Sequence, residues 1–270
     1  LGVMYSNGRA VIKDDAEAVA WYRKAAEQGY PDAQFSLGVM YSNGRGVTQD
    51  AAEAVAWLRE AAAQEHADAR RSIILIYRNG YGSASIGHAN GNTLLSNRYL
   101  DHGDGTVTDI LTGLQWMRCA LGQTWHDGTC LGEGDRFGWE DALEAVNKVN
   151  KQSGYAGHCD WRLPVFYELK TLMFCSSGDP KKWNDTGRPC AGTYSKPTID
   201  RKAFPNVPVF RILGFLFPRS EFWSSSPFAG SSEDRWRADS WSVDFYNGCV
   251  YVDDNGKGYM PYVRLVRDGQ

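Results

Sequence analysis

The side chains able to do chemistry in this chain of 270 residues are few and unevenly spread. All six cysteines (Cys119, Cys130, Cys159, Cys175, Cys190 and Cys249) lie after residue 118. An even number confined to one region points to disulfides and an oxidising compartment. Cys119 with Cys130, and Cys175 with Cys190, each close a short polar loop and are the expected pairs; Cys159 and Cys249 are left over, paired or free. The five histidines (His66, His88, His102, His126 and His158) are scattered. No HExxH, GxSxG or CxxC occurs, so neither a zinc site nor an activated nucleophile is indicated. Glu140-Asp141 and Asp253-Asp254 are chain neighbours, not carboxylates facing across a cleft, and the first pair suits a helix N-terminus. DHGDGTVTD, with Asp101, Asp104 and Asp109, lacks the spacing and closing glutamate of an EF-hand and reads as a strand turn. We expect no enzymatic activity, no cofactor and no bound metal.

What remains is chemistry of recognition. Residues 241–267, WSVDFYNGCVYVDDNGKGYMPYVRLVR, interleave tyrosine with Asp, Asn and Ser beside strand-forming valines. Asn247-Gly248 is a strong signal for a two-residue hairpin turn. That turn would set Val243 opposite Val252 and Phe245 opposite Val250 on a core side. Tyr246 opposite Cys249, Asp244 opposite Tyr251 and Ser242 opposite Asp253 would then form a solvent side. Tyrosine gives a large contact area for two frozen torsions, and short polar residues give adaptable hydrogen bonds, as in antibody binding loops. The candidate ligand-binding residues are Trp241, Asp244, Tyr246, Asn247, Tyr251, Asp253, Asp254, Asn255 and Tyr259, with Trp241 serving partly as structure. Arg235 and Arg237, either side of Trp236, could form a rim for carboxylate or sulfate partners.

The elements that must hold this surface fall into two blocks. Net charge is −3 with both signs mixed, which gives no electrostatic case for nucleic acid, and no apolar run is long enough to span a bilayer. The first block repeats itself: LGVMYSNGRAVIKDDAEAVAWYRKAAEQGYPDA at Leu1 returns at Leu37 as LGVMYSNGRGVTQDAAEAVAWLREAAAQEHADA, and a worn copy begins at Ile73. A period of this size means a solenoid of helix pairs. Ala18, Val19, Tyr22, Ala25 and Ala26 lie at helical spacing, the SNGRG segments supply turns, and Asp14 or Asp15, and Asp50, can cap helices. Residues 1–82 resemble the Sel-one-like repeats, short relatives of tetratricopeptide repeats, which implies a protein-binding scaffold. The chain opens inside a repeat and reads as the end of a longer array, so the lack of a visible signal peptide carries little weight.

Residues 83–97 are rich in Gly, Ser and Asn and read as a linker. Beyond them, residues 98–270 hold eight of the ten tryptophans and short strands bounded by turns. An amphipathic helix is expected over GWEDALEAVNKVNKQSG, with Ala142, Ala145, Val146 and Val149 on one face. A second begins near Pro164 and buries Leu169, Leu172 and Met173. YLDHGDGTVTDILTGLQWMRC, GWEDALEAVNKVN, GHCDWRLPVFYEL, FWSSSP and YVRLVR, in that order, resemble the C-terminal domain of the Legionella collagen-like adhesin and its bacterial relatives. The resemblance implies a C-type-lectin-like fold, of the variety shared with the formylglycine-generating enzyme and with variable proteins of diversity-generating retroelements. The enzyme relative uses a cysteine pair, whereas Cys249 stands alone in the corresponding region. The whole is therefore expected to be α+β: a short helical solenoid, then a C-type-lectin-like ligand-binding domain. It would be secreted, periplasmic or on a bacterial surface, and would bind a surface protein or glycan without catalysis. The hairpin segment resembles a diversified region. The alternatives are a fixed adhesin for sulfated glycosaminoglycans, or a repeat scaffold with a protein partner in which the lectin-like part is a cap.

Overall fold

The structure, a computed structural model, describes residues 1–78, 93–175, 195–212, 217–227, 240–253 and 260–269. Two compact units are present: Leu1–Leu100 with Thr108–Leu114 and Gly269–Gln270, and Asp101–Val107 with Gln115–Asp268. The chain is α+β, with helical repeats followed by a strand-rich domain.

The first unit carries α1 (Gly2–Asn7), α2 (Asp15–Ala26), α3 (Pro31–Asn43), α4 (Ala51–Ala63) and α5 (Ala67–Arg78). The same sequence makes the same start signal twice. Asp14 Oδ1 accepts from the N–H groups of Ala16 and Glu17, and Asp50 Oδ1 from those of Ala52 and Glu53, all within 2.9–3.1 Å. These bonds satisfy backbone donors that a helix N-terminus leaves open. Ala18, Val19, Ala26, Leu37 and Met40 form one buried cluster; Ala54, Leu58, Ala61, Ile73 and Ile76 form the next, joined by Leu100 and Ile110. Gly38 lets α3 approach α4, since a Cβ there would stand 2.7 Å from Leu58 Cγ. The expected boundary at residue 98 differs from this division, which gives Thr108–Leu114 to the helical unit. Of the expected linker, Thr93–Leu95 forms a strand.

The strands are β1 (Thr93–Leu95), β2 (Tyr99–Asp101), β3 (Thr106–Asp109), β4 (Leu114–Met117), β5 (Thr124–His126), β6 (Thr129–Leu131), β7 (Phe210–Ile212), β8 (Phe217–Arg219), β9 (Glu221–Pro227), β10 (Ser240–Asp244), β11 (Cys249–Asp253) and β12 (Val266–Asp268). β1-β2-β3-β4-β12 make one sheet, β11-β10-β9 a second, and β5-β6 and β7-β8 two hairpins. The expected turns at Gly103–Gly105 and Thr112-Gly113 fall between β2, β3 and β4, with all three glycines at positive φ.

Helix α6 (Trp139–Lys151) buries Ala142 and Val146 against Trp161, Leu163, Trp223, Val263 and Leu265. Gly154 follows it at φ 70 and donates to Val149 O. The second helix, α7 (Phe166–Thr171), is shorter than the apolar pattern suggests, although Leu169 and Leu172 are fully buried. Its start is fixed by Glu168, which accepts the Val165 N–H at 2.8 Å and pairs with Arg162 at 2.7 Å. Arg264 is fully buried, with its guanidinium over the rings of Phe204 (4.7 Å) and Phe222 (5.1 Å) and a bond to Met117 O. Of YVRLVR only Val266 and Arg267 lie in a regular strand, β12, while the carbonyls of Val263 and Leu265 accept from the N–H groups of Leu121 and Met117. Cys119 and Cys130 form the expected disulfide. Cys175 is also disulfide-bonded, and its expected partner Cys190 lies outside the described residues. Cys159 is a free thiol, and Cys249 is not in a disulfide.

Candidate functional site

The hairpin forms, but its register differs from the expected one by two residues. Val243 pairs with Val250, Asp244 with Cys249, Ser242 with Tyr251, Trp241 with Val252 and Ser240 with Asp253. Residues Phe245–Gly248 make a four-residue turn in place of a two-residue one. The reason is that Phe245 bonds elsewhere. Its N–H donates to Ser220 O at 2.8 Å, its carbonyl accepts from Thr198, and its ring is fully buried against Phe222. A slip of two preserves which residues share a face, because side chains alternate with period two.

Burial then overturns the simple division into core and solvent sides. β10 is the central strand between β9 and β11, so both its edges are paired, and residues of both its faces are buried. Ser240, Ser242, Val243 and Asp244 are all fully buried. Asp244 is thus a correction to the expected exposed set. Its Oδ1 accepts the N–H groups of Ser220 and Tyr246, each at 2.8 Å, and so holds β9 and the turn in place. Burial holds its carboxyl above the usual carboxylate range, against those two bonds and the pull of Arg219 and Lys196. Conversely Val252, expected in the core, is exposed because β11 is at the edge of its sheet.

Around the turn the structure assembles an aromatic and cationic layer. Tyr246 and Tyr251 are both half-buried. Lys196 Nζ lies 5.1 Å from the centre of the Tyr246 ring, and the Arg219 guanidinium 4.2 Å from that of Tyr251. Such contacts hold a cation over a ring face. Arg219 also pairs with the buried Glu221. The Tyr251 hydroxyl is pushed up to about 12, chiefly by burial, although a bond with Asn247 pulls the other way. Asn247 Oδ1 accepts the Cys249 N–H at 2.8 Å, a local bond typical of asparagine in turns. Trp241 is half-buried, its ring 4.9 Å from Phe166, which fits a partly structural residue.

Tyr246, Asn247 and Tyr251 are therefore brought together at one end of the hairpin, and Asp244 is placed beneath them. Asp253 ends β11 opposite Ser240. Arg235, Arg237, Asp254, Asn255 and Tyr259 lie outside the described residues. Lys196 and Arg219 were missed. Both lie well before the hairpin in the chain, and nothing local links them to residues 240–253. Among the described residues no group of three or more His, Cys, Asp or Glu side chains is arranged to hold a metal ion. Among the described residues no helix is long and apolar enough to cross a membrane.

Comparison with known proteins places these observations. Residues 1–30 and 31–66 match the Sel1 repeat. Among solved structures, the chain is similar to a Sel1 repeat protein from Oxalobacter formigenes (43% identity over 29% of this chain and 32% of that one, TM-score 0.28). It is also similar to c5321, a protective antigen of uropathogenic Escherichia coli displaying an SLR fold (48% identity, 29% and 17%, TM-score 0.29). Helicobacter pylori cysteine rich protein B gives 33% identity, 26% and 52%, and TM-score 0.25. The chain thus spans less than a third of the first two proteins. No curated protein matches it. Residues 105–267 match the Lcl C-terminal domain, a span that includes the hairpin, its turn and both cation-bearing segments. Because that match covers more than half of the sequence, the chain belongs to the Lcl C-terminal domain family, with two Sel1 repeats ahead of the domain.

Proposed function

We propose that this protein is a non-catalytic recognition module that engages a surface protein or glycan through the Phe245–Gly248 turn and the residues around it. The observation that carries the reading is the paired layer of Lys196 over Tyr246 and Arg219 over Tyr251. Two half-buried phenols give area without much entropy to lose, and the exposed Lys196 ammonium gives a donor for carboxylate, sulfate or hydroxyl groups, while Arg219, paired with Glu221, holds the Tyr251 ring in place. A C-type-lectin-like fold fits two early helices followed by antiparallel strands, with the binding hairpin late in the chain. The disulfide supports a secreted, periplasmic or surface location.

The test is replacement of Tyr246 and Tyr251 by alanine in the full chain, read by glycan-array and surface-protein binding alongside thermal unfolding. Binding should disappear while the fold persists; unchanged binding rejects the site. The finer proposal, that the segment is diversified, is supported by the Tyr, Asp, Ser, Asn and Cys types gathered between 241 and 254. A near-identical template copy of the matching DNA beside a reverse transcriptase gene would establish it, and absence of such a copy points to a fixed adhesin.

A protein partner at the repeats is a second reading with its own observation. Val3, Val39 and Leu75 stand 36 residues apart at equivalent positions of α1, α3 and α5. Val3 and Leu75 are each 53% exposed. Aspartate at both of these positions should remove a repeat-bound partner and leave the turn site intact.

A further inference from the structure

The strand-rich unit holds a second concavity that shares no residue with the turn. A cavity of about 560 Å³ opens beside β6 and the segment leading into β7. Its size lies within the range of small-ligand pockets. Its walls are tied together. Cys130 is bonded to Cys119. Asn206, at φ 49, donates from Nδ2 to Thr129 Oγ1 (2.9 Å) and Cys130 O (3.1 Å). Gln123 donates from Nε2 to Gly132 O (3.1 Å) and Asn206 O (3.0 Å). A positive φ in a non-glycine residue is held here by two side-chain bonds, so the two loops form a fixed wall.

Three lining residues then matter chemically: Glu133, Arg136 and Tyr262. Arg136 is exposed and its guanidinium lies over the Phe210 ring at 5.1 Å, which in turn meets Tyr262 edge-on at 5.8 Å. Neither Arg136 nor Glu133 has an ion-pair partner among the described residues. Both act on the Tyr262 phenol: after burial, which raises it, Arg136 lowers it and Glu133 raises it further. Glu133, Arg136 and Tyr262 thus line one cavity, and the two opposite charges do not pair with each other.

We propose that this cavity binds a zwitterionic ligand of amino-acid to short-peptide size, its carboxylate on Arg136 and its ammonium group on Glu133. A guanidinium seated on an aromatic ring keeps its in-plane donors free for a carboxylate. A ligand of one sign engages only one of the two exposed side chains, whereas one carrying both signs engages each.

The probe is trialanine, measured by isothermal titration calorimetry on the full chain, with its N-acetylated and C-amidated forms as separate arms. The free peptide should bind saturably. Arg136→Gln should weaken it about tenfold or more and abolish preference for the free carboxylate. Glu133→Gln should do the same for the free amine. Tyr246 and Tyr251 replaced by alanine should leave it unchanged, with melting curves as folding controls. The proposal fails if trialanine does not bind, if the capped forms bind equally well, if neither cavity variant matters, or if the turn variant removes binding.

Discussion

Asp244 stands opposite Cys249 across the β10–β11 ribbon, fully buried, with one carboxylate oxygen receiving the N–H groups of both Ser220 and Tyr246. One side chain thus joins an adjoining strand to the turn that presents Tyr246. Asp244→Ala should remove acceptors from two buried donors and leave a void, at about 2–4 kcal/mol. Asp244→Asn keeps an acceptor oxygen and should cost less. Urea unfolding of both variants checks the order, and equal losses would show that the two bonds matter little.

The same residue fixes the sign of a pH effect. Burial raises the Asp244 carboxyl above 3.8, so between the unfolded and native values the folded state holds the extra proton. Its contribution is then most favourable in acid and is lost as pH rises through the raised native value. Relative to Asp244→Asn, the wild-type protein should lose stability over that interval. Paired urea titrations across mild acid to neutral pH measure this, and a gap that stays constant or runs the other way contradicts it.

The disulfide between Cys119 and Cys130 closes a loop with a sequence separation of 11 and forms part of the cavity wall. Replacing both cysteines by serine should lower stability by about 3 kcal/mol. Trialanine binding should weaken as the wall loosens. Calorimetric melting and titration of the same variant separate the two effects.

Gly38 sits in α3 where alanine would ordinarily help the helix by about 1 kcal/mol. Here its Cβ would meet Leu58 Cγ at 2.7 Å and Ala54 O at 3.0 Å. Gly38→Ala should therefore lower the melting temperature, overpacking costing about 1–3 kcal/mol. Adding Leu58→Ala should relieve part of that cost, and a double-mutant cycle showing strict additivity would refute the contact.

Much of the frame could be read without coordinates because its signals are local. The 36-residue offset located the helix pairs, and Asp14 and Asp50 cap them as expected. The spacing of Ala142 and Val146 gave the buried stripe of α6, and the short loop between Cys119 and Cys130 gave their disulfide. The alternation of side chains along the ribbon also survived, since its slip was an even number of residues. What failed was the assumption that alternation means burial on one side only. β10 has a neighbour on each edge and packing on each face, which no run of residues in 241–254 reveals.

The sequence by itself determined the repeats, the two helices of the larger domain and its first three strands, the family of that domain and the residue types available for recognition. Each of these depends on neighbours within a turn or two of chain, or on a pattern spread along it. Tertiary structure alone decided where the ribbon bends, that Asp244 supports the surface from below, and that Lys196 and Arg219 cover its two tyrosines. Those outcomes rest on contacts between segments far apart in the chain, such as the bond from Thr198 to Phe245 across 47 positions. Packing and the pairing of buried polar groups settle such contacts, whatever the local propensity.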